Sequence, residues 1–255
     1  MTKPVLRWPG GKRRHLKTLL PLIKPHECYV EPFAGGLAVL LAKPRSPVEI
    51  VNDSNWNIVA LYRCAQFHLE ALLREMEWQV AARVNFREFR ENRGLTDLQR
   101  AARFLVGNLT SFGGGGTSFG IAKKGRGIGL NREYVVERLT ALRERLDRVT
   151  VECVDWEHCV RLYDSPETFL FLDPPYLHAD TKAYDGWSEG QMERLAQVLG
   201  EVKGQWLLTV DGSEFCKRLF GRWKSRLVNT RSGGVNQRLN LGATFSELII
   251  TSEAV

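Results

Sequence analysis

The run Thr168-Phe169-Leu170-Phe171-Leu172 is apolar throughout, and it stops at Asp173-Pro174-Pro175-Tyr176. A short continuous apolar run bounded in this way predicts a buried strand. Two successive prolines cannot prolong it, because each removes a backbone donor and fixes φ. An acid and an aromatic ring are therefore held at the strand's C-terminal end, the edge at which open α/β sheets bind ligands. The prolines lack N–H groups, so this stiff segment offers carbonyl acceptors beside one carboxylate and one ring. That set suits a planar substrate carrying an amino group. A plain strand-ending turn is the competing reading, since Asp-Pro commonly starts one.

Similar strands recur along the chain, and several end in an acid. Cys28-Tyr29-Val30-Glu31-Pro32-Phe33 leads into Ala34-Gly35-Gly36 and an apolar spacing at Leu37, Val39, Leu40 and Leu41 that predicts a helix. Strand, glycine turn and helix is the way a Rossmann-like unit brings backbone close to a ligand, although the glycines do not fit GxGxxG. Val48 to Asp53 is a second strand. Its terminal acid, about 20 residues after the glycine turn, stands where a carboxylate can accept the hydroxyls of a ribose; a helix N-cap is the alternative role. Val149 to Asp155-Trp156, Gln205 to Asp211, Arg226 to Thr230 and Glu247 to Ser252 complete about seven strands. The last two leave no room for a helix between them. The expected fold is α/β, a Rossmann-like parallel sheet with an antiparallel hairpin at one edge.

A different character intervenes between the second and third strands. The net charge of the chain is +7, and the segment from Arg83 to Leu146 holds thirteen basic residues against six acidic ones. A concentrated positive segment favours a polyanionic partner. It also contains the glycine-rich stretch 108–129, with Thr110, Ser111, Phe112, Thr117, Ser118, Phe119, Lys123, Lys124 and Arg126. This length and composition suit a loop that contacts nucleic acid. The expected organisation is a catalytic domain over residues 1–65 and 147–255, interrupted by a mainly helical domain over 66–146.

Near the N-terminus, Trp8-Pro9-Gly10-Gly11-Lys12 lacks the spacing of a phosphate-binding P-loop, but it offers an indole and an ammonium on a turn. The five cysteines are odd in number and scattered, without a CxxC pair or a Cys/His cluster, so reduced thiols and no metal are expected. No apolar stretch approaches the ~18 residues of a membrane span. A cytoplasmic protein with no obligate protein partner, monomeric or weakly dimeric, is the expectation.

Taken in order, Trp-Pro-Gly-Gly-Lys, Glu-Pro-Phe-Ala-Gly-Gly, Asn-Asp, a basic insertion, Asp-Trp and Asp-Pro-Pro-Tyr form a set over about residues 5–252. The set resembles the Dam-type DNA adenine N6-methyltransferases. The resemblance implies S-adenosylmethionine as cofactor, with Trp8 and Lys12 closing over it. Glu31 and Phe33 would receive its methionine part, Asp53 its ribose, and Asp155 and Trp156 its adenine, with Asp173 nearby. Asp173, Pro174, Pro175 and Tyr176 would form the catalytic motif, acting on an adenine flipped out of double-stranded DNA. The basic insertion would recognise the target, as in restriction-modification enzymes, and residues 229–250 would form the closing hairpin. Two departures stand out. Leu37 occupies a place in the glycine turn where many relatives carry a small residue. The recognition stretch reads Thr110-Ser111-Phe112-Gly113 and Thr117-Ser118-Phe119-Gly120 rather than the pattern of GATC-reading members, so GATC specificity is not transferred. A methyltransferase for RNA, or for a protein side-chain amide, is the rival enzyme. A non-catalytic nucleic-acid-binding protein on the same scaffold is the rival of another class, and cofactor binding separates it.

Overall fold

The computed structural model describes residues 2–8, 10–120, 130–177, 187–231 and 244–255. Lys123, Lys124 and Arg126 of the basic segment, and residues 232–243 of the expected closing hairpin, lie outside them. The strands are β1 (Cys28–Glu31), β2 (Val48–Asn52), β3 (Val149–Glu152), β4 (Thr168–Leu172), β5 (Gln205–Asp211), β6 (Trp223–Arg231) and β7 (Thr244–Ala254). They order as β3-β2-β1-β4-β5-β7-β6. The pairs β1–β2, β1–β4 and β4–β5 are parallel, whereas β7 runs antiparallel to both β5 and β6. The expected mixed sheet with an antiparallel edge is therefore what forms. Every residue of β4 is buried, as its unbroken apolar run requires.

The helices are α1 (Leu16–Leu19), α2 (Trp56–Phe67), α3 (Leu69–Glu77), α4 (Arg83–Glu91), α5 (Asp97–Thr110), α6 (Arg132–Leu146), α7 (Trp156–Tyr163), α8 (Glu189–Leu199) and α9 (Glu214–Leu219). Side-chain caps start most of them. Asn55, Thr96, Asn131, Asp155, Ser188 and Ser213 each accept from a backbone N–H in the first turn of the following helix, satisfying donors that a helix start leaves open.

The chain divides into two compact units. One holds Thr18–Ala34, Arg45–Ser54 and Val154–Val255. Its core joins Val30 and Leu170 of the sheet to Val160 of α7, Leu195 of α8 and Cys216 of α9. The other holds Met1–Lys17, Gly35–Pro44 and Asn55–Cys153. Here α2 packs against α5 and α6, and α3 packs against α5, burying Leu61, Leu72, Leu105 and Leu139. Gln66 donates to the carbonyls of Leu146 (2.7 Å) and Val149 (2.8 Å), tying the end of α2 to the end of α6.

Two local expectations are corrected. No helix follows the glycine turn. Gly35 and Leu37 both have positive φ, 44° and 56°, and Leu37 is fully buried. Left-handed backbone at these two places takes the chain off a helical path, and Pro44 bars later extension. Only local turns form, with Leu41 N–H donating to Leu37 C=O at 3.0 Å. The third strand stops at Glu152 rather than running to Asp155, which instead caps α7, with Trp156 the first residue of that helix. Over its described part the glycine-rich stretch is held by backbone bonds. Ser111 bridges Phe119 in antiparallel fashion, and Gly120 N–H donates to Thr110 C=O at 2.8 Å.

Candidate active site

In the sheet-bearing unit, the C-terminal ends of β1, β2, β4 and β5 carry Glu31, Asp53, Asp173 and Asp211. Because β7 runs the other way, its residue Glu247 lies directly opposite Asp211 in the register. One edge therefore collects acids from parallel strands and from the returning antiparallel strand alike.

Asp173 follows the last residue of β4. Its Oδ1 accepts a hydrogen bond from the Thr209 hydroxyl on neighbouring β5 at 2.8 Å. Pro174 is buried and Pro175 half-buried. Tyr176 turns its phenol to Glu247 and donates to Oε1 of that carboxylate. Burial above all, and then the charges of Asp173, Glu247 and Asp211, hold this phenol well above its ordinary pKa. The Asp173 and Tyr176 side chains are thus both held by neighbouring strands.

Glu31 is 1 % exposed and accepts from the Tyr29 hydroxyl at 2.8 Å. Asp53 is 3 % exposed. The cap of α2 is Asn55 and not Asp53, so the N-cap alternative for Asp53 is removed. Asn52 binds the surrounding loops together: its Nδ2 donates to Pro32 C=O (3.0 Å) and Val154 C=O (3.1 Å), and its Oδ1 accepts from Val154 N–H (2.9 Å). The backbone of Ala34 closes on Asn52 as well, N–H to C=O at 2.8 Å. Phe33, Asp53 and Asp155 are carried on the segments that this residue ties.

Beside them stands an aromatic group. Phe33 lies 6.2 Å from Trp156 at 25° between planes, and Trp187 meets both edge-on at 5.5 and 6.1 Å. Trp156 Nε1 donates to Gln191 at 3.3 Å. The Trp187 Nε1–H is buried without an acceptor among the described residues. Asp155 is exposed, and its carboxylate is engaged in capping α7, donated to by Glu157 N–H at 2.9 Å. Buried carboxylates at strand ends beside an aromatic wall fit S-adenosylmethionine chemically. Carboxylates accept from ribose hydroxyls and an ammonium, and rings face a purine.

Trp8 and Lys12 belong to the helical unit. There the glycine turn has a specific purpose. A Cβ at Gly35 would come within 2.7 Å of Trp8 Nε1, and one at Gly36 within 2.9 Å of Trp8 Cβ. The missing side chains let the indole lie on the turn, with Phe104 6.5 Å away. Lys12 is buried and donates to Gly10 C=O at 2.8 Å.

The same unit carries a basic, aromatic face. The Arg83 guanidinium sits 5.1 Å over Phe119, which meets Phe86 at 5.7 Å. Arg90 donates to Thr117 C=O at 3.1 Å. Asn108 anchors the base of this turn: its Oδ1 accepts from Arg7 N–H, and its Nδ2 donates to the carbonyls of Arg7 and Gly114.

Thr209, Asp211, Glu247 and Trp187 were not singled out from the sequence. Asp211 carried the only signal of the strand-ending kind. Trp187 stands just before the Ser188 cap, where a hydrophobic staple is usual.

Comparison with known proteins identifies the family. The family described as D12 class N6 adenine-specific DNA methyltransferase matches residues 8–228. Type II methyltransferase M.CviBI of Paramecium bursaria Chlorella virus NC1A is 25% identical, over 93% of this chain and 96% of its own. Type II methyltransferase M.MjaIII of Methanocaldococcus jannaschii is 27% identical, over 68% and 69%. The Retron Ec67 DNA adenine methylase of Escherichia coli is 27% identical, over 76% and 71%. Among solved structures, SMU.472 in complex with SAH aligns over 96% of this chain and 53% of its own, at 9% identity and a TM-score of 0.42.

Proposed function

This chain belongs to the D12 class N6 adenine-specific DNA methyltransferases, and we propose that it works on a flipped-out adenine of duplex DNA through Asp173, Pro174, Pro175 and Tyr176. S-adenosylmethionine supplies a methyl group already activated on a sulfonium, so no covalent enzyme intermediate is needed. The N6 lone pair of adenine is delocalised into the ring and is a poor nucleophile. Asp173 and the Pro174 carbonyl accept from the N6 amino group, and the carboxylate stabilises the positive charge that grows on N6. Tyr176 stacks on the base once it has left the helix, because its N6 cannot be reached inside a duplex. Glu31, Phe33, Asp53 and Trp156 bind the cofactor, and Trp8 and Lys12 are cofactor residues by the family resemblance. Asp155 acts there through the start of α7 that it caps. The observation that carries this reading is the fixed pair of side chains after β4, with Asp173 tied to Thr209 and Tyr176 tied to Glu247.

Target recognition falls to residues 66–146. The turn from Ser111 to Gly120, backed by Arg83 and Arg90, presents hydroxyls, backbone and guanidinium groups of the kind that contact phosphates and base edges. Mapping of N6-methyladenine at base resolution in DNA from expressing cells tests the proposal: modified adenines in one short motif are expected. Unmodified DNA from cells holding soluble, cofactor-binding protein would overturn it in favour of RNA. Asp173→Ala is expected to abolish transfer while DNA binding persists, measured by fluorescence anisotropy; equal loss of both refutes the division of labour.

A further inference from the structure

Methyl transfer needs the acceptor amine of the base held to within a fraction of an ångström, yet the motif that holds it is a short segment running off the end of β4. Its two prolines fix the backbone of residues 174 and 175 but do not reach the carboxylate of Asp173 or the ring of Tyr176. Both are held from outside. Thr209 and Asp211 are two apart on β5 and so share one face of the sheet. Glu247 lies opposite Asp211 on β7. Thr209 donates to Asp173, and Glu247 accepts from Tyr176.

This arrangement is costly for stability alone. Asp211 and Glu247 are each 6 % exposed, and like charges directly opposite on neighbouring strands repel. Burying a carboxylate costs far more than burying an apolar side chain of similar size. The Oδ1 of Asp211 accepts from Ser213 N–H at 3.1 Å, and its Oδ2 is buried without a hydrogen-bond partner among the described residues. Local rules broken at such a place point to function.

We propose that Glu247 is a positioning residue for methyl transfer: through the Tyr176 phenol it fixes the ring against which the flipped adenine rests, as Thr209 fixes the Asp173 carboxylate. The proposal rests on the reading of Asp173 to Tyr176 as the base-binding motif. Asp211 adds a second negative charge near the phenol. The specific bond is worth more than the ring alone, because a stacking surface free to rotate leaves N6 out of line with the methyl group.

The test is steady-state kinetics on a duplex holding the mapped target. Glu247→Leu is expected to lower kcat by about 10- to 100-fold, the scale of a misplacement near 1 Å, with cofactor Kd unchanged within twofold. Glu247→Gln keeps an acceptor oxygen and recovers most of the loss. Tyr176→Phe lowers kcat comparably, and Glu247→Leu added to it causes no further loss, since the two residues act through one bond. A kcat within threefold of wild type for Tyr176→Phe overturns the proposal, and this arm stands even where Glu247→Leu does not fold. Losses that multiply in the double variant, or a parallel loss of cofactor affinity, assign Glu247 to the fold alone. Wild-type protein that leaves adenine unmethylated refutes the underlying reading instead, so the two failures are distinct.

Discussion

Replacing Asn52 by Ala tests the claim that one buried amide holds the cofactor-side loops together. The side chain is 1 % exposed and makes three hydrogen bonds, two to Val154 and one to Pro32. The bond to Pro32 is buried, and its loss leaves a carbonyl unpaired at a cost of about 1–3 kcal/mol. The two bonds to Val154 are partly buried, where water replaces some of the loss, so each is worth about 0.5–1 kcal/mol. The total is about 2–5 kcal/mol, which for a chain of this size lowers Tm by about 4–20 °C. Asn52→Asp is expected to be worse than Ala. It keeps the acceptor for Val154 N–H but turns a carboxylate oxygen towards two carbonyls in place of an N–H donor. Thermal unfolding by circular dichroism, paired with calorimetric titration of S-adenosylmethionine, measures both effects. Cofactor affinity is expected to fall with stability, because Phe33, Asp53 and Asp155 sit on the segments that the amide joins. An Ala variant within 2 °C of wild type with unchanged affinity would falsify the reasoning; so would an Asp variant more stable than Ala.

Three further expectations concern titration. The Tyr176 phenol is held above its ordinary value near 10; its contribution is fully present below pH 10 and lost only as pH rises through the higher folded value, so the pH–rate profile shows no tyrosine limb below 10. An alkaline loss of kcat centred below pH 10 that Tyr176→Phe removes contradicts this. Glu157, paired with Arg194 and Arg161, is lowered to about 2; its contribution is present above the ordinary carboxylate value of 4.5 and lost as pH falls through 2. For surface pairs it amounts to ~1 kcal/mol or less, and Glu157→Gln abolishes that part of the acid dependence in urea titrations taken between pH 5 and pH 2. Burial pushes the thiols of Cys64 and Cys216 up to about 11, so neither reacts with an aromatic disulfide reagent at pH 8 until the chain unfolds. Fast labelling of both in the native protein contradicts their burial.

The sheet was legible because its strands announce themselves. The unbroken run before Asp173 can only be buried on both faces, and the acid–proline–proline stop places its end. The missing helix after Gly36 shows the limit of periodicity. Leu37, Val39, Leu40 and Leu41 have helical spacing and are buried, but Leu37 takes a left-handed backbone that spacing does not record. The third strand was read too long for a related reason. Its alternation continues past Glu152, while the Asp155 side chain favours a helix start through a local bond to Glu157 N–H. Asp211 and Glu247 were invisible as partners because their meeting depends on the register of β5 against β7, which no local pattern encodes. Trp8 was read as a loop aromatic; its seat on Gly35 and Gly36 follows from a packing between segments distant in sequence.

The strand order has a consequence for biosynthesis. Strand β7 follows β6 in the chain yet lies between β5 and β6, so the antiparallel edge cannot close until residues 244–254 have left the ribosome. A nascent chain that already displays Asp173 to Tyr176 still lacks the carboxylate to which the phenol bonds. Competence therefore awaits the synthesis of Glu247, and a chain cut short before residue 247 is expected to be a binder of its ligands and not a catalyst.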